Sequence, residues 1–184
     1  MRVTGGEACG RILAVPKSGD IRPTQDRVRA ALFNILGPGI AGAAFLDLFA
    51  GSGAVGIEAL SRGAAEVTFV EANRRHVAVL EKNVETIFRR KPTVACADAY
   101  RWLAGYAGAG FDIGFADPPY ALGEEKGYAS VLATLAARGV IRPGGVFVAE
   151  MTAVQKAEET PGWELLRDRK YGKTRICIWR NNNA

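Results

Sequence analysis

Residues 45–71, FLDLFAGSGAVGIEALSRGAAEVTFVE, decide the fold of the chain. Phe45 to Phe49 form a short apolar run interrupted by one acid, Asp47, and a tight Gly51-Ser52-Gly53 turn follows. Val55, Ile57, Ala59 and Leu60 then mark a helix, and Val67 to Val70 a second strand that ends on Glu71. Strand, glycine turn, helix and acid-tipped strand describe a nucleotide-binding βαβ unit. Gly51 and Gly53 let the backbone turn where side chains would clash, so that a ligand can approach main-chain N–H groups. The helix N-terminus behind them carries partial positive charge. Glu71, 20 residues after Gly51, is spaced to accept both hydroxyls of a ribose.

The same pattern of elements continues on both sides. Before it, Gly5, Gly6, Gly10 and Gly19 punctuate short β-prone pieces, which predicts a small N-terminal β-hairpin appendage over residues 1–22 ahead of a domain spanning 23–184. Pro23 and Thr24 open a helix, Thr24 as its N-cap, with Val28, Ala31, Leu32, Ile35 and Leu36 as the apolar stripe and Arg22, Arg27 and Arg29 left for other faces. After Glu71, residues 74–90 form an amphipathic helix burying Val77, Leu80, Val84, Ile87 and Phe88. Strands are expected at Thr93–Ala97, Phe111–Ala116 and Val146–Glu150, with helices around Trp102 and around Tyr128 to Leu135. Two β runs flanking Tyr171-Gly172-Lys173 close the chain as an antiparallel hairpin. Alternating strands and helices imply an α/β fold, a mainly parallel sheet with helices on both faces.

Composition narrows the class. At 184 residues, 48% hydrophobic and 23% charged, the chain suits one core of a soluble globular protein. No apolar run approaches the ~18 residues that cross a membrane, and the first residues lack the apolar core of a secretion signal. A cytoplasmic protein without a membrane partner is expected. Cys9, Cys96 and Cys177 are far apart and odd in number, which argues against disulfides and structural zinc and makes them small apolar fillers. His76, the single histidine, is expected on the solvated surface beside Arg74 and Arg75, and no metal site is expected. The 24 Lys and Arg against 19 Asp and Glu leave +5, with the excess at the two ends of the chain, a distribution that suits a polyanion.

Four acids, Asp47, Glu71, Asp98 and Asp117, fall at or near the carboxyl ends of expected strands, where open α/β sheets bind ligands. Asp117 opens DPPY, Asp117 to Tyr120. Pro118 and Pro119 fix φ and remove two donors, leaving a stiff segment rich in acceptors. The Asp117 carboxylate and the Pro118 carbonyl can then hold the hydrogens of one amino group, while Tyr120 offers a face for stacking a planar base. Two such acceptors favour a pyramidal nitrogen, turning a lone pair out of the ring of a nucleobase toward an electrophile. Adenine N6, cytosine N4 and guanine N2 all qualify.

Asp47 stands four residues before the first glycine, giving D-x-x-x-G-x-G. That pattern resembles the first motif of the S-adenosylmethionine-dependent methyltransferases, in which the turn faces an amino-acid moiety and an acid favours a cationic sulfonium and ammonium ligand. An Asp that also caps the turn is compatible with this role. RPTQDRVRAALFNIL (Arg22 to Leu36), the glycine-turn stretch, VEAN, ADPPY and YGKTRICIW together resemble the bacterial 16S rRNA (guanine(966)-N2)-methyltransferase family, in the family's order and over nearly the whole chain. The resemblance implies a Rossmann-like class I methyltransferase fold with a seven-stranded sheet and S-adenosyl-L-methionine as cofactor. It implies that Asp47, Phe49, Ala50, Gly51, Ser52 and Gly53 hold the methionine end, Glu71 and Ala72 the ribose, and Asp98 and Ala99 the adenine. Asp117, Pro118, Pro119 and Tyr120 would hold the target guanine. Arg2, Arg11, Lys17, Arg22, Thr24, Arg27 and Arg29 would meet RNA. The implied partner is 16S rRNA within a partly or fully assembled small ribosomal subunit, met by a monomer. Ala30, where the family often has Glu, is a departure outside the cofactor motifs.

Three other functions compete. An amino-methyltransferase of another RNA, DNA or protein would keep the cofactor and change the target. A nucleotide-dependent reductase would not need Asp47 or DPPY, and an RNA-binding module without catalysis would not need DPPY or the glycine turn.

Overall fold

The computed structural model describes residues 1–16, 26–118 and 120–183, with the side chains of residues 120–127 left aside. The chain divides into two compact units, Met1–Asp98 and Ala99–Ala184. In the first, helix α1 (Asp26–Leu36) and a 3-10 turn (Gly37–Ile40) lead into strand β1 (Ala44–Leu48), helix α2 (Ala54–Ser61) and strand β2 (Glu66–Glu71). Helix α3 (Arg74–Phe88) and strand β3 (Thr93–Cys96) complete it. β1 pairs in parallel with β2, and β2 with β3. Every residue of β1 is buried, Asp47 included, as a strand covered on both faces of a parallel sheet demands. Helices α2 and α3 supply the crossovers that parallel neighbours need. α2 is buried along its whole length, and a Cβ on its Gly56 would come within 2.3 Å of the Phe69 ring. Gly56, which completes a G-x-G-x-x-G pattern with Gly51 and Gly53, therefore serves helix–sheet contact.

Two helix faces differ from the sequence expectation. On α1 the buried residues are Val28, Arg29, Leu32 and Phe33, while Ile35 is 36% exposed. The stripe is rotated because Phe33 stacks on Phe45, ring centroids 6.3 Å apart, and because Arg29 has a buried partner. Arg29 is fully buried: its Nε lies 3.2 Å from Oε2 of Glu58, itself fully buried on α2. Arg29 therefore cannot present its guanidinium to RNA. On α3 the buried set is His76, Leu80, Asn83 and Val84, and Val77, Ile87 and Phe88 are half-buried. Asn73 caps that helix, its Oδ1 accepting from the Arg75 N–H at 2.9 Å.

Glu58 gathers the start of the chain around it. It accepts from the Thr4 N–H (2.8 Å) and hydroxyl (2.7 Å) and pairs with Arg62 at 2.8 Å. Arg29 donates further to Asp26 and to the Arg2 carbonyl. The expected N-terminal hairpin is one antiparallel bridge, Arg2 to Ile12, with Val3, Ala8 and Leu13 buried. It is tied to α2 through Ser61 and to α3 through Asn83, which bonds both the N–H and the carbonyl of Ala14. The remaining hairpin residues and the expected N-cap Thr24 lie outside the described residues.

The second unit holds α4 (Ala99–Ala104), β4 (Phe111–Ala116), α5 (Tyr120–Ala137), β5 (Ile141–Thr152), β6 (Trp163–Tyr171) and β7 (Thr174–Asn181). Its strands run in the order β4-β5-β7-β6, with β4 and β5 parallel and both β7 pairings antiparallel. The closing hairpin turns at Gly172-Lys173, as expected. β5 starts earlier than expected because Pro143-Gly144-Gly145 bulges within the strand: Phe111 pairs with Ile141, but Ile113 pairs with Val146. A Cβ on Gly145 would lie 2.9 Å from the Asp112 carbonyl oxygen, so glycine suits the bulge. Tyr128, Phe147 and Trp179 form the aromatic core, with centroids 6.3–6.5 Å apart. Among the described residues no helix is long and apolar enough to cross a membrane.

Removing Arg29 would leave Glu58 buried with Arg62 and Thr4 alone. Arg29→Ala is expected to cost about 3 kcal/mol, the lower end for a broken buried pair, read as a fall in the urea unfolding midpoint. An unchanged midpoint would contradict the role given to this pair.

Candidate functional site

In the first unit the glycine turn is held by two carboxylates. Asp47, in β1 and 1% exposed, accepts the Gly56 N–H at Oδ2, 2.8 Å, so the strand fixes the first turn of α2. Glu71, the last residue of β2, accepts the Gly51 N–H at Oε2 (2.8 Å) and the Asn73 N–H at Oε1 (2.8 Å). The Ala50 N–H donates to Val70 and the Gly53 N–H to Ala50. These amides of the turn bind it to β2 and to itself, and are not left for a ligand as the sequence suggests. The backbone conformation explains the glycines: φ is +56° at Gly51 and +83° at Gly53. Phe49 shares the left-handed region at φ +58°, a strained state for a side chain of its size.

Burial sorts the expected cofactor residues. Phe49, Ala50, Gly51 and Glu71 are half-buried and Ala72 is exposed, whereas Asp47, Ser52, Gly53 and Ala99 are buried. Asp47 thus acts from inside as the cap of the turn. Its carboxyl is pushed up to about 7 by burial, against the Gly56 hydrogen bond that favours the ionised form, with the Glu71 charge raising it further. Asp98 is exposed, two residues beyond β3.

Two residues of this site escaped the sequence analysis. His76 is 8% exposed and not on the solvated surface; its Nδ1 lies 3.4 Å from Oε1 of Glu71. Its helix starts at Arg74, so the imidazole comes back onto the acid that ends β2. Asn83 donates to the Ser52 carbonyl at 3.0 Å while holding Ala14, and so ties the turn to the N-terminal segment. The available signal was periodic: His76, Leu80, Asn83 and Val84 share a helical face, and polar members of such a face call for partners.

In the second unit Asp117 follows β4 directly and is half-buried, and Pro118 is buried. Tyr128 donates its hydroxyl to the Glu150 carbonyl at 2.9 Å. Burial, and then the charge of Asp117, hold its phenol well above the ordinary range, so it stays a neutral donor. Pro119 lies outside the described residues; Tyr120 begins α5, and its side chain also lies outside them.

Of the residues expected at RNA, Arg2, Arg11 and Arg27 are exposed, while Lys17, Arg22 and Thr24 lie outside the described residues. The cysteines divide. Cys9 and Cys96 are exposed and not apolar fillers, and Cys177 is buried with its thiol pushed up to about 12, chiefly by burial. Among the described residues no three His, Cys, Asp or Glu side chains gather as a metal site.

A family model described as Conserved hypothetical protein 95 matches residues 1–180. The chain is 46% identical over 123 residues to the ribosomal RNA small subunit methyltransferase D of Escherichia coli, covering 67% of this chain and 62% of that protein. It thus spans less than two thirds of that relative's length. Against the Haemophilus influenzae protein of the same name it is 33% identical over 185 residues, covering 98% of this chain and 94% of the relative. Among solved structures, the yhhF protein of Escherichia coli matches with a TM-score of 0.87 and 34% identity, over 98% of this chain and 97% of that one. The α/β fold expected from the sequence, mainly parallel and closed by an antiparallel hairpin, is the fold the two share.

The raised carboxyl of Asp47 makes stability depend on pH. Between pH about 4 and about 7 the unfolded chain has lost this proton and the folded chain has kept it. Stability therefore falls as pH rises through that window and levels off above it. Asp47→Asn removes the titration, so the variant should gain on the wild type from pH 4 to 7, by at most about 1.4 kcal/mol per pH unit. Urea midpoints at several pH values measure the difference; a constant gap across the window would contradict the assignment.

Proposed function

The chain belongs to the family of the ribosomal RNA small subunit methyltransferase D proteins, and from that premise we propose that it transfers a methyl group from S-adenosyl-L-methionine to ribosomal RNA. The finer reading is the exocyclic N2 of a guanine in 16S rRNA, within a partly or fully assembled small subunit, by a cytoplasmic monomer. The observation that carries the proposal is the clasp of Glu71 on Gly51. It sets a half-buried carboxylate beside a glycine turn at the carboxyl ends of parallel strands, where such sheets bind nucleotides.

The residues present fit the cofactor. Oε2 of Glu71 accepts the Gly51 N–H and has a second lone pair for a ribose hydroxyl, while Oε1 accepts the Asn73 N–H and faces His76. Half-buried Phe49, Ala50 and Gly51 are assigned to the methionine end, with Asp47 fixing that turn from within, and exposed Asp98, two residues beyond β3, is assigned to the adenine. S-Adenosylmethionine, when bound, supplies a methyl group activated by its sulfonium centre.

The other half of the chemistry belongs to Asp117 and Pro118. The carboxylate and the proline carbonyl accept the two hydrogens of the guanine amine and turn its lone pair out of the ring plane. Pro118 fixes φ directly after Asp117, and Pro119 and Tyr120 are assigned to holding and stacking the base. Positioning and preorganised acceptors supply the acceleration. Arg2, Arg11, Lys17, Arg22, Thr24 and Arg27 are assigned to RNA; buried Arg29 is not.

Incubating the protein with labelled cofactor and undermethylated small ribosomal subunits, followed by nucleoside analysis, tests the reading. N2-methylguanosine is the expected product, and its absence overturns the assignment. Asp117→Ala should abolish turnover and leave the cofactor dissociation constant within about twofold; a large loss of cofactor binding would move Asp117 to another role. Glu71→Ala should weaken cofactor binding by about 1.5–3 kcal/mol in a calorimetric titration, and an unchanged constant would place the ribose elsewhere.

A further inference from the structure

We propose that the overhanging end of the β6–β7 hairpin, carrying Arg169, Lys170 and Lys173, is a second contact surface for the phosphate backbone of the substrate RNA. The proposal rests on the RNA methyltransferase reading above and adds a docking surface to it.

The register within the second unit carries the inference. Ala116, the last residue of β4 and the one before Asp117, pairs with Ala149 of β5. β5 runs on to Thr152, which pairs with Thr174 of β7, and Thr174 in turn pairs with Tyr171 of β6. The hairpin end therefore extends past the carboxyl end of β4 by three residues, about 10 Å at ~3.3 Å per residue. It lies at the same end of the sheet from which Asp117 emerges. With β6 three strands from β4, the sideways distance is about 14 Å.

The cations follow this overhang. Arg169 pairs with Ile176, which pairs with Glu150, so it stands one step beyond Ala149, level with Asp117. Lys170 is one residue further out, and Lys173 lies in the turn itself. All three are exposed. The nearby acid, Asp168, is already engaged by Arg175 at 2.7 Å, and Arg175 also donates to the Gln155 carbonyl. Arg175 is thereby directed inward, and the three outer charges are left to face solvent. β6 is also the end strand of this group, charged and bulged between Leu165 and Arg167. Those features disfavour its pairing with another strand and leave charge as its means of recognition. A strand of RNA whose target base reaches Asp117 would carry its flanking phosphates past this arm.

The test compares the wild type with Arg169→Ala/Lys170→Ala/Lys173→Ala on undermethylated small ribosomal subunits. Direct binding and methyl transfer are both measured as salt is varied. The variant should raise the dissociation constant and KM for subunits roughly tenfold, and flatten the log–log salt dependence by about 2, for three single-strand phosphates. Its kcat, cofactor affinity and thermal midpoint should stay near wild type. Equal binding and an equal salt slope in the two proteins would overturn the proposal, as would a loss confined to kcat. Failure of the wild type to methylate subunits would instead strike at the functional reading, because the binding comparison does not depend on turnover.

Discussion

The clamp of two acids on one glycine turn is the constraint on which the first unit depends. Left-handed backbone, free of a Cβ penalty at Gly51 and Gly53, is costly at Phe49 without something to hold it. Asp47 grips the far side of the turn through the Gly56 N–H, and Glu71 grips the near side through the Gly51 N–H. The two acids come from neighbouring parallel strands paired through Asp47–Phe69 and Leu48–Val70. Sheet register thus becomes the geometry of the glycine turn without any flexible intermediary. Asn83 and His76, both on α3, brace the same turn from a third element.

A second buried acid, Glu58, does for the start of the chain what Asp47 does for the turn. Its two oxygens receive Thr4, Arg29 and Arg62, so three segments distant in sequence meet on one carboxylate. A buried ion pair of this kind is weak evidence for stability, since desolvation opposes the attraction. Its value here is geometric: Glu58 and Asp47 both bind the same short helix, one to the N-terminal segment and the other to β1. Displacement of α2 would disturb the glycine turn and the N-terminal segment together.

Most of the architecture was legible because the cues were local. A short apolar run broken only by Asp47 before G-x-G, the acid at the tip of β2 and the two β runs around Gly172 placed their elements within a residue or two. Several of the errors involve a polar side chain whose partner nothing in the neighbouring sequence announces. Nothing near Arg29 announces a bond to Glu58, 29 residues on. His76 beside two arginines gives no hint that its ring turns back onto Glu71. Pro143-Gly144-Gly145 signals a turn by composition, yet the pairing of β5 on both sides of it makes a bulge. Periodicity locates a helix but does not fix its rotation when a charged residue belongs to the buried face, and α1 shows the consequence.

The same distinction governs the meaning of the net charge. A total of +5 from 24 basic residues counts every cation alike. Yet Arg29 is consumed by Glu58 inside the first unit, Arg62 lies over the Phe33 ring while pairing with the same acid, and Arg175 is turned toward Asp168. Among the described residues the exposed cations include Arg2, Arg11 and Arg27 in the first unit, and Arg169, Lys170 and Lys173 on the hairpin in the second. Screening over about 8–10 Å at physiological salt means that such clusters act through local placement. Which cations are available to a polyanion therefore depends on which arginines the acids have engaged, and that partition is a property of the fold.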